Sequence, residues 1–288
     1  MYPPVLTRDP AAVESAVQAI YQDMFPAGDM GFVHRAFGWA TDCFAGRYRN
    51  YQPIDAVYHD FEHTLQVTLC LGRLLHGMHR FGAAMKPNNK QFELVLLAIL
   101  LHDTGYLKDR ADTQGTGAKY TLIHVARSVE FSKKLLSDKA YTSAEVISVG
   151  NMIRCTGVNA DLSTIPFTAE WEKYMGYALA TADLLGQMAA EDYVEKLPIL
   201  FEEFAEAARY QTGNPNATGL FSSPADLLEK TPMFWEKYVL GKIQRDFDGV
   251  YRYLSKSLEE DDNWYMQRIE ANVARLRGHL KTQVSCPT

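Results

Sequence analysis

Residues 57–75 read VYHDFEHTLQVTLCLGRLL, and residues 93–105 read ELVLLAILLHDTG. In the first stretch Val57, Phe61, Leu65, Leu69 and Leu71 mark one apolar stripe, the pattern of a helix with a single buried face. On such a helix His59 and His63, four apart, lie one turn apart on one face, so both imidazoles reach toward one pocket. The second stretch is apolar without interruption from Leu94 to Leu101. It is too short to span a bilayer and reads as a helix buried on most sides. It closes on His102-Asp103, and Gly105 reads as its C-terminal stop. A polar pair at the end of a buried run needs a partner, because burying it unpaired is costly. A metal ion is one such partner.

A third stretch, Ala178-Leu-Ala-Thr-Ala-Asp183-Leu-Leu, places one carboxylate inside another apolar helical run. Aspartate is rarely fully buried unless it is paired or bound to a metal. His63, His102, Asp103 and Asp183 then form a set of two histidines and two carboxylates. Such mixed donors suit Zn, Fe or Mn, or Mg where more oxygen and water ligands join. His59 stands outside the set and is free for proton transfer.

The order His63…His102-Asp103…Asp183 resembles the H…HD…D signature of the HD-domain metal-dependent phosphohydrolases. Tyr58-His59-Asp60-x-x-His63 is also similar to the YHNxxH segment of cyclic-nucleotide phosphodiesterases, with Asp60 where those proteins carry Asn. The resemblance runs from about Tyr58 to Met188. It implies an all-α, HD-domain-like helical bundle with additional C-terminal helices. It implies that His63, His102, Asp103 and Asp183 hold a first divalent ion (Mn, Mg, Zn or Fe), that Asp103 bridges to a second, and that His59 protonates the leaving oxygen. The expected activity is metal-dependent hydrolysis of a phosphate ester, on a small phosphorylated, nucleotide-like substrate. Two other classes stay open: a di-iron oxygenase on the same scaffold, and a regulatory nucleotide-binding module without turnover.

Around these motifs, 288 residues with 47% hydrophobic content allow one large core. The resemblance divides the chain into N-terminal helices over 1–57, an HD-type metal-binding core over 58–190, and a helical extension over 191–288 in the same globule. A net charge of −6 argues against a nucleic-acid backbone as partner. Cys43, Cys70, Cys155 and Cys286 show no CxxC spacing and read as reduced thiols of a cytoplasmic protein. No signal peptide or membrane span is expected, and a homo-oligomer is compatible with the sequence.

Helices are expected over 10–24, opened by Asp9 and Pro10, and over 30–49, 120–137, 142–156, 169–189, 225–257 and 262–281. The 142–156 helix starts on a capping box, Thr142 to Glu145. Residues 191–211 are acidic and read as a solvated face, broken or kinked at Pro198. Thr212 to Pro224 reads as a linker. His34, His76 and His79 read as packed or solvated histidines rather than ligands. His124 has two readings, a second-metal or phosphate ligand or a satisfied half-buried histidine. The loop after the HD pair offers Lys108, Arg110 and Lys119. These read either as a mobile rim meeting substrate phosphate or as an ordinary solvated connection.

Overall fold

The computed structural model describes residues 4–157, 160–259 and 262–284; Cys286 lies outside them. The fold is all-α. Ten α-helices are described: α1 (Pro10–Met24), α2 (Phe32–Phe44), α3 (Phe61–Arg80), α4 (Asn89–Leu101), α5 (His124–Asp138), α6 (Ser143–Arg154), α7 (Glu170–Met188), α8 (Tyr193–Thr212), α9 (Pro224–Phe234) and α10 (Trp264–Val284). Among the described residues, β pairing is limited to two isolated bridges, Tyr51 with Asp109 and Ser255 with Asn263. None of these helices is long and apolar enough to cross a membrane.

Local chemistry explains most helix starts. Asp9 accepts from Ala11 N–H, with Pro10 in the first helical position. Thr142 and Glu145 form the expected capping box of α6, and Asn88 with Gln91 forms another at α4. The start of α3 differs from the expected 57–75 helix. Asp60 is its N-cap and accepts from His63 N–H at 2.8 Å. The Val57 and Tyr58 N–H groups bond to the Glu203 carboxylate instead of helical carbonyls. His59 therefore stands before the helix, not on it.

At the core α4 packs against α2, α3, α6 and α7. Every residue from Leu94 to Leu101 is buried, as its apolar composition requires. One continuous apolar core runs from Val13 in α1 to Leu276 in α10, so α1 and α2 before it and α8 to α10 after it share a core with the helices of the 58–190 region.

Two glycines set distances that matter for the site. A Cβ on Gly186 would lie 2.8 Å from Val67 Cα, so α7 approaches α3 closely just after Asp183. A Cβ on Gly105 would lie 2.0 Å from the His124 carbonyl oxygen. Gly105 is thus needed for the approach of the segment after the HD pair to the start of α5. It does not stop α4, which ends at Leu101 with His102 as C-cap.

Other expectations are adjusted. Helix α8 continues through Pro198, whose neighbours Leu197 and Phe201 are buried and hold the turn. The expected 225–257 helix is α-helical only to Phe234. Wider turns follow at Trp235–Val239 and Lys242–Asp246, and positive φ at Asp248 and Gly249 ends the run.

Candidate metal centre

α3 supplies His63, the end of α4 supplies His102 and Asp103, and α7 supplies Asp183; all four are buried. His63 Nε2 lies 3.2 Å from Asp103 Oδ2 and 3.4 Å from Asp183 Oδ1. His102 Nε2 lies 3.3 Å and 3.4 Å from the same two oxygens. The structure thus brings together the four residues that the sequence singles out from three separate segments.

The protonation pattern shows what this cluster lacks. His102 Nδ1 stands 2.8 Å from the Ile99 carbonyl oxygen and so carries the proton. Its Nε2 faces the carboxylates. Neither His102 Nε2 nor Asp103 Oδ2 has a hydrogen-bond partner. Buried polar atoms that converge without a well-formed hydrogen bond are costly unless positive charge, a proton on His63 or a metal ion, stands among them.

The spacing fits one ion. Two donors each about 2.0–2.2 Å from an ion stand about 3.0 Å apart at a right angle and about 3.4 Å apart at the tetrahedral angle. The histidine–carboxylate separations above fall in that range; the ligand atoms of His63, His102 and Asp103 all lie within 4.8 Å of one another, and Asp183 joins this group only through its approach to the two histidines. Electrostatics agree. Burial pulls His63 down, but Asp103 and Asp183 outweigh it and raise it to about 10. His102 is raised by the same two carboxylates against burial. Burial favours the neutral form of Asp183, yet the two histidines lower it to about 2. Asp103 is held well below the usual carboxylate range by His102, His63 and His59, also against burial.

Beside the cluster stands a second group of rings. His124 Nδ1 lies 2.6 Å from the Thr121 carbonyl oxygen, which leaves Nε2 as its free nitrogen. That nitrogen is 3.7 Å from Asp103 Oδ1, the oxygen opposite the one facing His63 and His102. Burial lowers His124 and keeps it neutral, a form able to donate a lone pair. Asp103 therefore faces His63 and His102 through one oxygen and His124 through the other.

His59 remains close to the centre although it is off the helix. Its ring centroid is 5.6 Å from that of His63. Its partner is Glu203 on α8, with Nδ1 to Oε2 at 2.6 Å. Glu203 Oε1 also accepts from Val57 and Tyr58 N–H, each at 2.8 Å. Burial favours a neutral Glu203, but His59 and these N–H donors hold it lowered. Asp60 and Glu62, the carboxylates nearest His59 in sequence, are engaged elsewhere. Asp60 caps α3, and Glu62 pairs with Arg8 and Lys196.

The three rim cations are committed to protein partners. Lys108 is buried, pairs with Asp55 at 2.8 Å and donates to the Gly115 carbonyl. Lys119 is buried, pairs with Asp112 and donates to the Gln114 carbonyl. Arg110 donates to the carbonyls of Tyr51 and Gly46. These contacts hold the loop in place, with Lys108 and Lys119 buried and Arg110 exposed. His34 pairs with Glu14 and His76 with Asp23, away from the centre.

Sequence reading missed Glu203 and Tyr106. Glu203 sits in the acidic helix read as solvated, yet it is 4% exposed. Its neighbour Glu202 is exposed, and sequence alone does not tell which of the two turns inward. Tyr106, fully buried, stacks on His59 and His124. Its only sequence signal is its place three residues after Asp103.

Fold and site together define an all-α protein with a buried centre of two histidines and two carboxylates, flanked by a histidine–glutamate pair. A family model described as Npun_R2479-like matches residues 110–277, more than half of the chain, and the chain belongs to that family. The match spans His124, Asp183 and Glu203 and begins after His59, His63, His102 and Asp103. No curated protein matches the chain.

Proposed function

We propose that this protein is a metal-dependent phosphohydrolase of the HD-domain kind, cleaving a small phosphate ester, nucleotide-like in character. The observation that carries this reading is the convergence of His102 Nε2 and Asp103 Oδ2 without a hydrogen-bond partner, against His63 and Asp183 at ion-ligand spacing. His63, His102, Asp103 and Asp183 would hold the ion. His124, facing the other Asp103 oxygen, would serve a second. When bound, the ion supplies Lewis-acid polarisation of the phosphoryl group and acidifies water near neutral pH.

The chain's own residues account for the proton. Glu203 accepts the Nδ1 proton of His59, which leaves Nε2 as the nitrogen that exchanges a proton with the leaving oxygen. Against burial, His59 and the backbone N–H donors hold Glu203 ionised, so its carboxylate keeps the His59 ring anchored at Nδ1. The loop lysines, spent on Asp55 and Asp112, leave phosphoryl charge to be met chiefly by the centre itself. Three buried free thiols, Cys43, Cys70 and Cys155, suit a reducing compartment such as the cytoplasm.

The test is to strip the protein of metal, restore Mn, Mg, Zn or Fe singly, and measure hydrolysis of phosphodiesters and phosphomonoesters. The expected result is ion-dependent phosphate release that His59→Ala abolishes while bound metal stays at the wild-type level. Bound iron with oxygen consumption and no ester cleavage would overturn the reading in favour of an oxygenase.

A further inference from the structure

We infer that Tyr106 is a positioning residue, the floor on which the His59 and His124 rings are laid so that their Nε2 atoms face the centre. The role rests on the phosphohydrolase reading. The His59 ring lies 4.5 Å from the Tyr106 ring at 11° between planes, and the His124 ring 4.8 Å away at 23°. The two imidazole centroids are 6.2 Å apart. Rings in contact through opposite faces of a phenol would stand about 7 Å apart, twice a contact distance of about 3.5 Å. Both imidazoles therefore sit side by side on one face of Tyr106.

This matters because each histidine has a single polar anchor. His59 Nδ1 is held by Glu203 and His124 Nδ1 by the Thr121 carbonyl, each at 2.6 Å. The Cβ–Cγ tether and one hydrogen bond at Nδ1 place each ring but leave room for rocking as that bond stretches or breaks. A flat aromatic surface packed against the ring limits this rocking. Tyr106 can do so because it is fully buried and because Gly105, its neighbour, lets the segment close on the His124 backbone. Its hydroxyl has no hydrogen-bond partner. Its polar neighbour is the Thr121 hydroxyl, which donates to the Ala118 carbonyl and lies outside hydrogen-bond geometry to the phenol. The phenol plane, not the hydroxyl, is thus the working part.

The experiment compares Tyr106→Phe, which keeps the plane, with Tyr106→Leu and the more adaptable Tyr106→Met, which remove it, all in the full metal-loaded chain. The readouts are kcat and KM on the best ester, bound metal, and the ring resonances of His59 by NMR. Tyr106→Phe should stay within about twofold of wild type and keep sharp His59 resonances. Loss of the plane should lower kcat about 10- to 100-fold, the scale of a misplaced reacting group. KM and bound metal should hold, and the His59 resonances should broaden or split. If Tyr106→Phe falls as far as Tyr106→Leu, or if Tyr106→Met keeps wild-type kcat and a sharp His59 signal, the inference is wrong. Wild-type protein that binds metal and cleaves no ester would instead remove the underlying reading. The NMR comparison would still decide whether Tyr106 orders the two rings.

Discussion

Filling the centre should expel a proton. His63, raised to about 10 by Asp103 and Asp183, carries a proton at pH 7.5 in nearly every metal-free molecule. At the ordinary value of about 6.5 only about one molecule in ten would. A divalent ion needs the lone pair that this proton occupies, so uptake is an exchange. At pH 7.5 about one proton should leave per ion, with a further fraction from His102, which is raised in the same direction. Apparent affinity should climb about tenfold per pH unit through the neutral range. The assay is calorimetric titration of metal-stripped protein with Zn or Mn in buffers of different ionisation enthalpy. The sign for stability follows from the same shift. Because His63 is raised, its contribution to the metal-free fold is fully present below about 6.5 and is lost as pH rises toward about 10. Asp183, lowered to about 2, contributes stability above about 3.8 that is lost as pH falls toward about 2. Release of about a tenth of a proton, with affinity flat between pH 6.5 and 9, would refute the reasoning. It would mean that the carboxylates do not hold a proton at the histidine pair.

Three further outcomes are expected. Glu203→Gln should lower kcat about 10- to 100-fold, at or below the low end of the roughly 100- to 10,000-fold that general acid–base catalysis contributes, while bound metal, measured by elemental analysis, stays unchanged; equal loss of metal and activity would contradict its pairing with His59. Gly186→Ala should cost about 1–3 kcal/mol, as overpacking against Val67 forces α7 from α3, and should weaken metal binding because Asp183 moves with the helix; calorimetry and metal titration check both. Lys108→Met should lower the melting temperature by leaving Asp55 without its buried partner, yet leave KM for the best ester within about twofold. A KM rising more than about tenfold, the scale of a lost charged contact, would return Lys108 to substrate binding.

Much of the fold was legible because its signals are local. The apolar run Leu94–Leu101, the Asp9-Pro10 start and the Thr142–Glu145 capping box each depend on residues within a turn or two of one another. The four-residue cluster was legible for a related reason: each member interrupts an apolar run, and a buried charge needs a partner wherever its helix packs. What escaped depends on distant contacts. The start of α3 turns on competition between Asp60 as cap and helical continuation to Val57, and Glu203, far along the chain, decides it by taking the Val57 and Tyr58 N–H groups. Glu203 and Glu202 differ only in helical phase. Lys108 and Lys119 look like free cations until Asp55 and Asp112 fold against them. Gly105 has the sequence look of a helix stop, while its actual constraint is the carbonyl of His124 approaching from another helix.

The most direct measurement is the metal content of the purified, metal-reloaded protein beside that of Asp183→Ala and His63→Ala, with fold checked by circular dichroism. The account predicts at least one tightly held divalent ion per wild-type chain and its loss from both folded variants. A wild-type chain that takes up no ion, or variants that keep it in full, would contradict the assignment of His63, His102, Asp103 and Asp183 as a metal centre.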